Sequence, residues 1–259
     1  MFTILVALTL TPTAEALSCI EGAGDAFPSD SAVGVSLDVI PRISLYGLAE
    51  VTQELVIIDE AAGTLVPFTA EVVENPGNTH LAWLRPDGPL SPDVSYSVAV
   101  LSGEDLDDAW RLSTFTTGDA ALSGDPQAPT VLDVDRDKGK DMWGSWDWIR
   151  IGIDSEPATY QVQVASSADF SDAEEIHLLA NSYDGIELSV GSGVCGGSLE
   201  LASGEQFVRV AAVDYAGNVS EYSSSQSSGC SAVSGASSLT GALFGVLAVL
   251  GMRRRKVTT

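Results

Sequence analysis

Positive charge is what this 259-residue chain has least of: 12 lysines and arginines stand against 36 aspartates and glutamates, a net charge of −24. Four of the basic residues, Arg253, Arg254, Arg255 and Lys256, sit at the very end, so the remainder carries eight against 36, or −28. Such a surface repels phosphate backbones, which excludes nucleic-acid binding, and it leaves attraction to anionic headgroups to the basic end alone. In a salty exterior, where screening acts over about 10 Å, acidity of this kind serves solubility.

Histidine is nearly as scarce. His80 and His177 are the only two, and each stands apart from other ligand-type residues. The three cysteines, Cys19, Cys195 and Cys230, form no C-x-x-C pair, so the spacing of a zinc site is missing. G-x-S-x-G, the P-loop, H-E-x-x-H and G-x-G-x-x-G are all absent, and a Ser-His-Asp site would have to rest on an isolated histidine. An enzyme is not expected. Long helical periodicity is lacking too: neither half of the chain repeats its apolar residues every 3.6 positions.

What is present lies partly at the ends. Phe2 to Leu10 is an apolar run followed by Ala14-Glu15-Ala16, the h-region and A-x-A site of a signal peptide over residues 1–16, although a basic n-region is missing. At the other end, residues 229–259 run from Gly229-Cys230-Ser231 through the uncharged stretch Leu239 to Met252 into the four basic residues. With the small residues before it, the apolar stretch approaches the roughly 20 residues a membrane helix needs, and the basic cluster stays cytoplasmic under the positive-inside rule. An odd cysteine count leaves two pairings open in an oxidising compartment: Cys19 with Cys195, if Cys230 is processed, or Cys195 with Cys230.

The order of cysteine, small linker, apolar helix and terminal arginines resembles the MYXO-CTERM sorting tail of surface proteins in myxobacteria and their relatives. The resemblance covers about a tenth of the chain. It implies cleavage near Cys230 by an intramembrane sorting protease, with Cys230 as the processing or lipid-attachment residue and Arg253, Arg254, Arg255 and Lys256 as the basic stop. The GlyGly-CTERM signal is similar in layout, but it wants Gly-Gly where this chain has Gly229-Cys230. A plain membrane anchor is the alternative.

Between the ends, short alternating apolar runs recur about every ten residues, the signature of β-sandwiches. The turn-rich stretch 119–129 divides residues 17–118 from 130–228, predicting two tandem sandwiches in an all-β chain. Strands are expected at 35–39, 43–45, 55–58, 65–73, 81–84, 96–100 and 110–115 in the first half. In the second they are expected near 149–153, 160–164, 176–178, 186–188 and 207–213. Leu90-Ser-Pro92-Asp-Val-Ser-Tyr96 has the layout of a tyrosine corner; Leu201 to Phe207 repeats its spacing without the hydroxyl. The first half resembles bacterial Ig-like domains. The second, through Val213-Asp-Tyr-Ala-Gly217-Asn-Val-Ser220, resembles fibronectin type III-like domains, with a Gly-Asn turn that requires positive φ.

Two clusters carry candidate chemistry. Asp133, Asp135, Asp137 and Asp141 could converge on calcium if a loop bends between them, but the EF-hand positions for glycine and the closing acid hold Lys138 and Gly144. The competing reading is a solvated strand edge or loop, neutralised by Arg136, Lys138 and Lys140. Trp143, Trp146 and Trp148 form a ribbon in which Trp146 and Trp148 share a face opposite Ile149 and Ile151. Exposed, they would stack on a glycan or anchor a partner protein; buried, they are the core tryptophan of the sandwich and a neighbour capping its edge. The sequence therefore points to a non-catalytic cell-surface protein serving adhesion, spacing or recognition. A carbohydrate-binding module and an accessory to a secreted hydrolase stand as alternatives. No cofactor beyond calcium is implied.

Overall fold

A computed structural model describes residues 22–47, 54–101, 103, 105–122, 124–140, 144–154, 159–180, 187–194 and 196–228. The leader, Cys19, Asp141, Trp143, Cys195, Cys230 and the 229–259 tail with its basic cluster lie outside them. No helix among the described residues is long and apolar enough to cross a membrane.

The first half is built from β1 (Gly22–Phe27), β2 (Arg42–Tyr46), β3 (Leu55–Asp59), β4 (Thr64–Leu65), β5 (Phe68–Val73), β6 (Thr79–Pro86), β7 (Ser95–Val100) and β8 (Trp110–Thr116). They form two antiparallel sheets, β1-β2-β6-β5 and β4-β3-β7-β8, the strand order of an immunoglobulin-type sandwich. The alternation in the sequence sets the faces. Ile43, Leu45, Ala82 and Leu84 of one sheet meet Leu55, Ile57, Val98 and Phe115 of the other in a closed core. Each large side chain fully buried there stabilises the fold by about 1.5–3 kcal/mol.

Three expectations change. β1 was absent from the sequence reading. Residues 35–39 are no strand: Val35 and Val39 plug the core, and pairing is limited to one parallel bridge from Val35 to Thr117. The run 65–73 splits at Pro67 into β4 and β5, which belong to opposite sheets. The tyrosine corner is present, with the Tyr96 hydroxyl accepting from the Ser91 amide at 3.0 Å.

The second half comprises β9 (Val131–Lys140), β10 (Ser145–Ile153), β11 (Thr159–Ala165), β12 (Glu174–Leu179), β13 (Glu187–Gly193), β14 (Gly196–Gly197), β15 (Phe207–Val213) and β16 (Gln226–Ser227). Its sheets are β14-β13-β10-β9 and β12-β11-β15-β16, again antiparallel and again packed face to face. Ile149, Ile151, Leu188 and Val190 meet Tyr160, Val162, Ile176 and Val210 in the core. At the position of the missing tyrosine corner, Arg136 takes over. Its guanidinium holds Asp147 at 2.8 and 2.7 Å and reaches the carbonyls of Ala202 and Gly204. Arg136 is therefore an internal tie rather than a surface counter-charge.

The dividing stretch does not float. Ala120 accepts from the Leu37 amide at 3.2 Å, and the Leu122 amide donates to Asp38, so its first part is laid along the first sandwich.

Candidate functional site: the cleft where the sandwiches meet

The outer face of the β1-β2-β6-β5 sheet does not face water throughout. Alternation turns Arg42, Ser44 and Tyr46 outward from β2, and Leu81 and Trp83 outward from β6. Ile40, Leu81 and Trp83 then pack on Val213, with Val73 and Leu179 against them, as a small core shared by the two halves. Arg42 lies at its centre, wholly buried. Its guanidinium donates to Thr159 Oγ1 at 2.8 Å, to the Asp214 carbonyl at 2.5 Å and to the Val213 carbonyl at 3.4 Å. It also lies 4.5 Å from the Trp83 ring and 5.4 Å from that of Phe27. Burial pushes its pKa down to about 9, with Asp214 acting the other way. Arg42 therefore keeps its charge at neutral pH.

Three further contacts fix the junction. The turn after β15 inserts Tyr215, which stacks on Phe27 at 4.9 Å and accepts from the Ile40 amide at 2.8 Å. Gly217, at φ +89°, lets the turn close against Trp83 and Ile40. The β5–β6 turn reaches the other way. The Asn75 side chain donates to the His177 carbonyl at 2.9 Å and accepts from the His177 amide at 2.8 Å. Gly77 and Asn78 donate their amides to the carbonyls of Ser198 and Gly197, both at 2.8 Å. A Cβ on Gly77 would collide with the Gly197 carbonyl.

Beside this junction lies a cleft of about 150 Å³. Tyr46 and Asp25 line it from the first sandwich, Trp148 and Glu187 from the second, and His80 and His177 stand in its wall. The two histidines that look isolated in sequence thus share one site. His80 Nδ1 accepts from the Asn75 amide at 3.3 Å, which places the ring proton on Nε2, where no acceptor meets it among the described residues. His177 Nε2 lies 3.3 Å from Glu175 Oε1, and its Nδ1 is buried without a partner. Burial holds the His177 pKa below its ordinary value against the pull of Glu175. No hydroxyl is hydrogen-bonded to either ring among the described residues, so no activated nucleophile is assembled here. The Tyr46 hydroxyl titrates above its usual range because of burial and the nearby Asp25.

The tryptophan ribbon divides. Ile149 and Ile151 fill the core, while Trp146 and Trp148 are half-buried on the outer face, so neither is the core tryptophan of the sandwich. They do not form one free platform. The Trp146 ring covers Gly139, its cross-strand partner, beside a shallow groove that includes Lys138 and Ser145. The Trp148 ring covers Gly193 and faces the inter-sandwich cleft. Tyr46 covers Gly24 in the same manner. In each case a glycine leaves the space in which an aromatic ring lies flat on the sheet.

The bent loop that calcium would need is not formed over the described residues, and Asp141, the fourth of the set, lies outside them. β9 runs extended through Asp133, Asp135 and Asp137 instead of bending, so successive carboxylates are set along an exposed strand edge. Asp137 pairs with Arg150 at 3.2 Å, and no cluster of three or more metal-ligand side chains occurs among the described residues.

Sequence reasoning overlooked Arg42, Tyr46, Asn75 and Tyr215. One signal was available: Arg42 is among the few basic residues before the tail, yet it sits between Pro41 and Ile43 in an apolar strand.

No protein-family model matches the chain, and no curated protein matches it. Among solved structures, surface layer protein SbsC, domains 1–6, overlaps 79% of this chain and 40% of its own at 8% identity and a TM-score of 0.28. The tandem Ig repeats of Dlar overlap 79% of this chain and 96% of theirs at 11% identity and a TM-score of 0.22. Pullulanase from Anoxybacillus sp. LM18-11, complexed with maltotriose, overlaps 72% of this chain and 24% of its own at 8% identity and a TM-score of 0.23. The chain thus spans less than half of the surface-layer protein and a quarter of the pullulanase. Overlaps this loose assign no role.

Proposed function

We propose that the chain is a non-catalytic, exported module held at the cell surface by its C-terminal tail, in which an Ig-like and a fibronectin type III-like sandwich act as one stiff body for spacing and recognition. The observation that carries this is the junction: a shared apolar core around a buried arginine, with first-sandwich amides donating to second-sandwich carbonyls and second-sandwich amides donating to Asn75 and Asn78. Tandem modules joined by a free linker reorient; two modules that share a core hold a fixed angle and project a fixed surface. The strongly acidic exterior keeps such a rod soluble outside the cell. The residues that would catalyse a hydrolysis are not assembled in the cleft, which favours presentation over chemistry.

Two measurements test the reading. Small-angle scattering and residual dipolar couplings should fit one rigid arrangement of the two sandwiches; couplings that demand two independent alignment tensors would refute the stiff joint. Mass spectrometry of the mature C-terminus from native cells tests the anchor. A chain ending next to Cys230 supports sorting, and recovery of residues through Thr259 leaves a plain membrane anchor.

A further inference from the structure

The cleft beside the junction has a chemistry that the joint itself does not use. His80 is 94% buried by its 6% exposure, with its Nε2–H lacking an acceptor. His177 Nδ1 is a buried lone pair lacking a donor. Both residues line the same hollow, but only the His80 Nε2–H is open to it as a bare donor; the His177 Nδ1 is shut off from it. Asp25 and Glu187 add acceptors, Ser44 and Ser189 add hydroxyls, and the rings of Tyr46 and Trp148 face in from opposite modules.

Each candidate ligand class can be tested against this set. An anion would meet Asp25, Glu187 and the overall negative charge. A metal ion would need a cluster of ligands that the described residues do not form. A purely apolar molecule would cover the His80 donor without pairing it, at about 1–3 kcal/mol. A hydroxyl both donates and accepts, and a pyranose carries several on a ring whose C–H face stacks on aromatic rings. At about 30 Å³ per water, the 150 Å³ cleft has room for about five waters. That suits one sugar residue rather than a long chain.

We infer that the inter-sandwich cleft binds a single neutral pyranose unit, presented as the end or side branch of a glycan, between Tyr46 and Trp148 with its hydroxyls on His80, Asp25 and Glu187. This rests on the recognition part of the proposed function and confines the sugar site to the Trp148 end of the tryptophan ribbon, away from Trp146. Sites of this kind favour the seam between modules, where concave, mostly preformed surfaces arise.

The test uses the full chain in a sugar-free detergent, with saturation-transfer NMR and calorimetric titration. The probes are the methyl glycosides of glucose, galactose and mannose, with glucuronate and glucosamine as charged controls. At least one neutral glycoside should bind with a Kd of about 1 mM. Tyr46→Ala should weaken it at least tenfold. Ser189→Tyr, which fills the cleft from its rim, should do the same with the junction intact. Trp146→Ala should leave it unchanged. Any of three results overturns the inference: no neutral glycoside binding at about 50 mM, binding that survives both cleft variants, or binding lost with Trp146→Ala. Amide exchange on the same samples separates the two readings. Protected junction amides without glycoside binding would remove the sugar site and leave the stiff joint standing.

Discussion

Replacing Arg42 by alanine should uncouple the two sandwiches without unfolding either. The guanidinium supplies hydrogen bonds to Thr159 and to the carbonyls of Val213 and Asp214, and it stacks on Trp83 and Phe27. Charge-assisted bonds are worth about 1.5–3 kcal/mol each and cation–π contacts about 0.5–2. Against that sum stands the desolvation of a buried charge, several kcal/mol. The net loss in Arg42→Ala comes from carbonyls left without donors and from the cavity, about 3 kcal/mol in all. The cost falls on the junction, because the two main cores lie elsewhere.

Hydrogen exchange reads it directly. The amides of Ile40, Gly77 and Asn78, bonded across the junction, should lose roughly 100-fold in protection, since each 1.4 kcal/mol is a factor of ten. Amides in the sheet interiors, such as those of Val98 and Val210, should keep theirs. Calorimetry should show one transition for the native chain and two for the variant. Arg42→Met, which refills much of the volume without the charge, should cost less than alanine. Unchanged protection at Ile40, Gly77 and Asn78 in Arg42→Ala would refute the reasoning.

Three further outcomes follow from the same geometry. Gly77→Ala should open the junction by about 1–3 kcal/mol, because its Cβ meets the Gly197 carbonyl, and dipolar couplings should then show independent modules. Tyr96→Phe should destabilise the native chain by about 1 kcal/mol and, in the Arg42→Ala background, lower the first sandwich's midpoint while leaving the second's unchanged, as the Ser91 amide loses its acceptor. His177 has a depressed pKa through burial, so folding favours its neutral form. Its contribution is complete above the unfolded value of 6.5 and is lost progressively as pH falls below it. Chemical denaturation across pH 7 to 5 should show that decline, and His177→Gln should flatten it.

The strands that were legible in the sequence are those whose alternation is enforced by two-layer burial, such as 149–153 and 160–164. β1 was not, because Gly-Ala-Gly-Asp-Ala-Phe offers no alternation and buries only Phe27 fully. Val35 and Val39 misled for the opposite reason: they are apolar because they plug the core, and plugging needs no ladder. The Asp133–Asp137 alternation was open between loop and strand edge, and the pleat decides it by turning the aspartates outward and Val134 and Arg136 inward. The cleft could not be read locally at all. Asn75 meets a residue 102 positions away and Arg42 one 172 positions away, so no window of sequence contains both partners. The tyrosine corner and the Gly217 turn were visible because each is a short-range device.

The Asn75 clamp has a consequence for how the modules can be separated. β12 is the edge of its sheet, and the amide and carbonyl of His177 are taken by a side chain of the other module instead of a strand. Cut away the first sandwich, and those groups face outward from a strand rich in apolar residues, a template for pairing with another copy. The first sandwich thus acts as a built-in chaperone for the second. It is also synthesised first, so the guard is in place before the edge it guards is made.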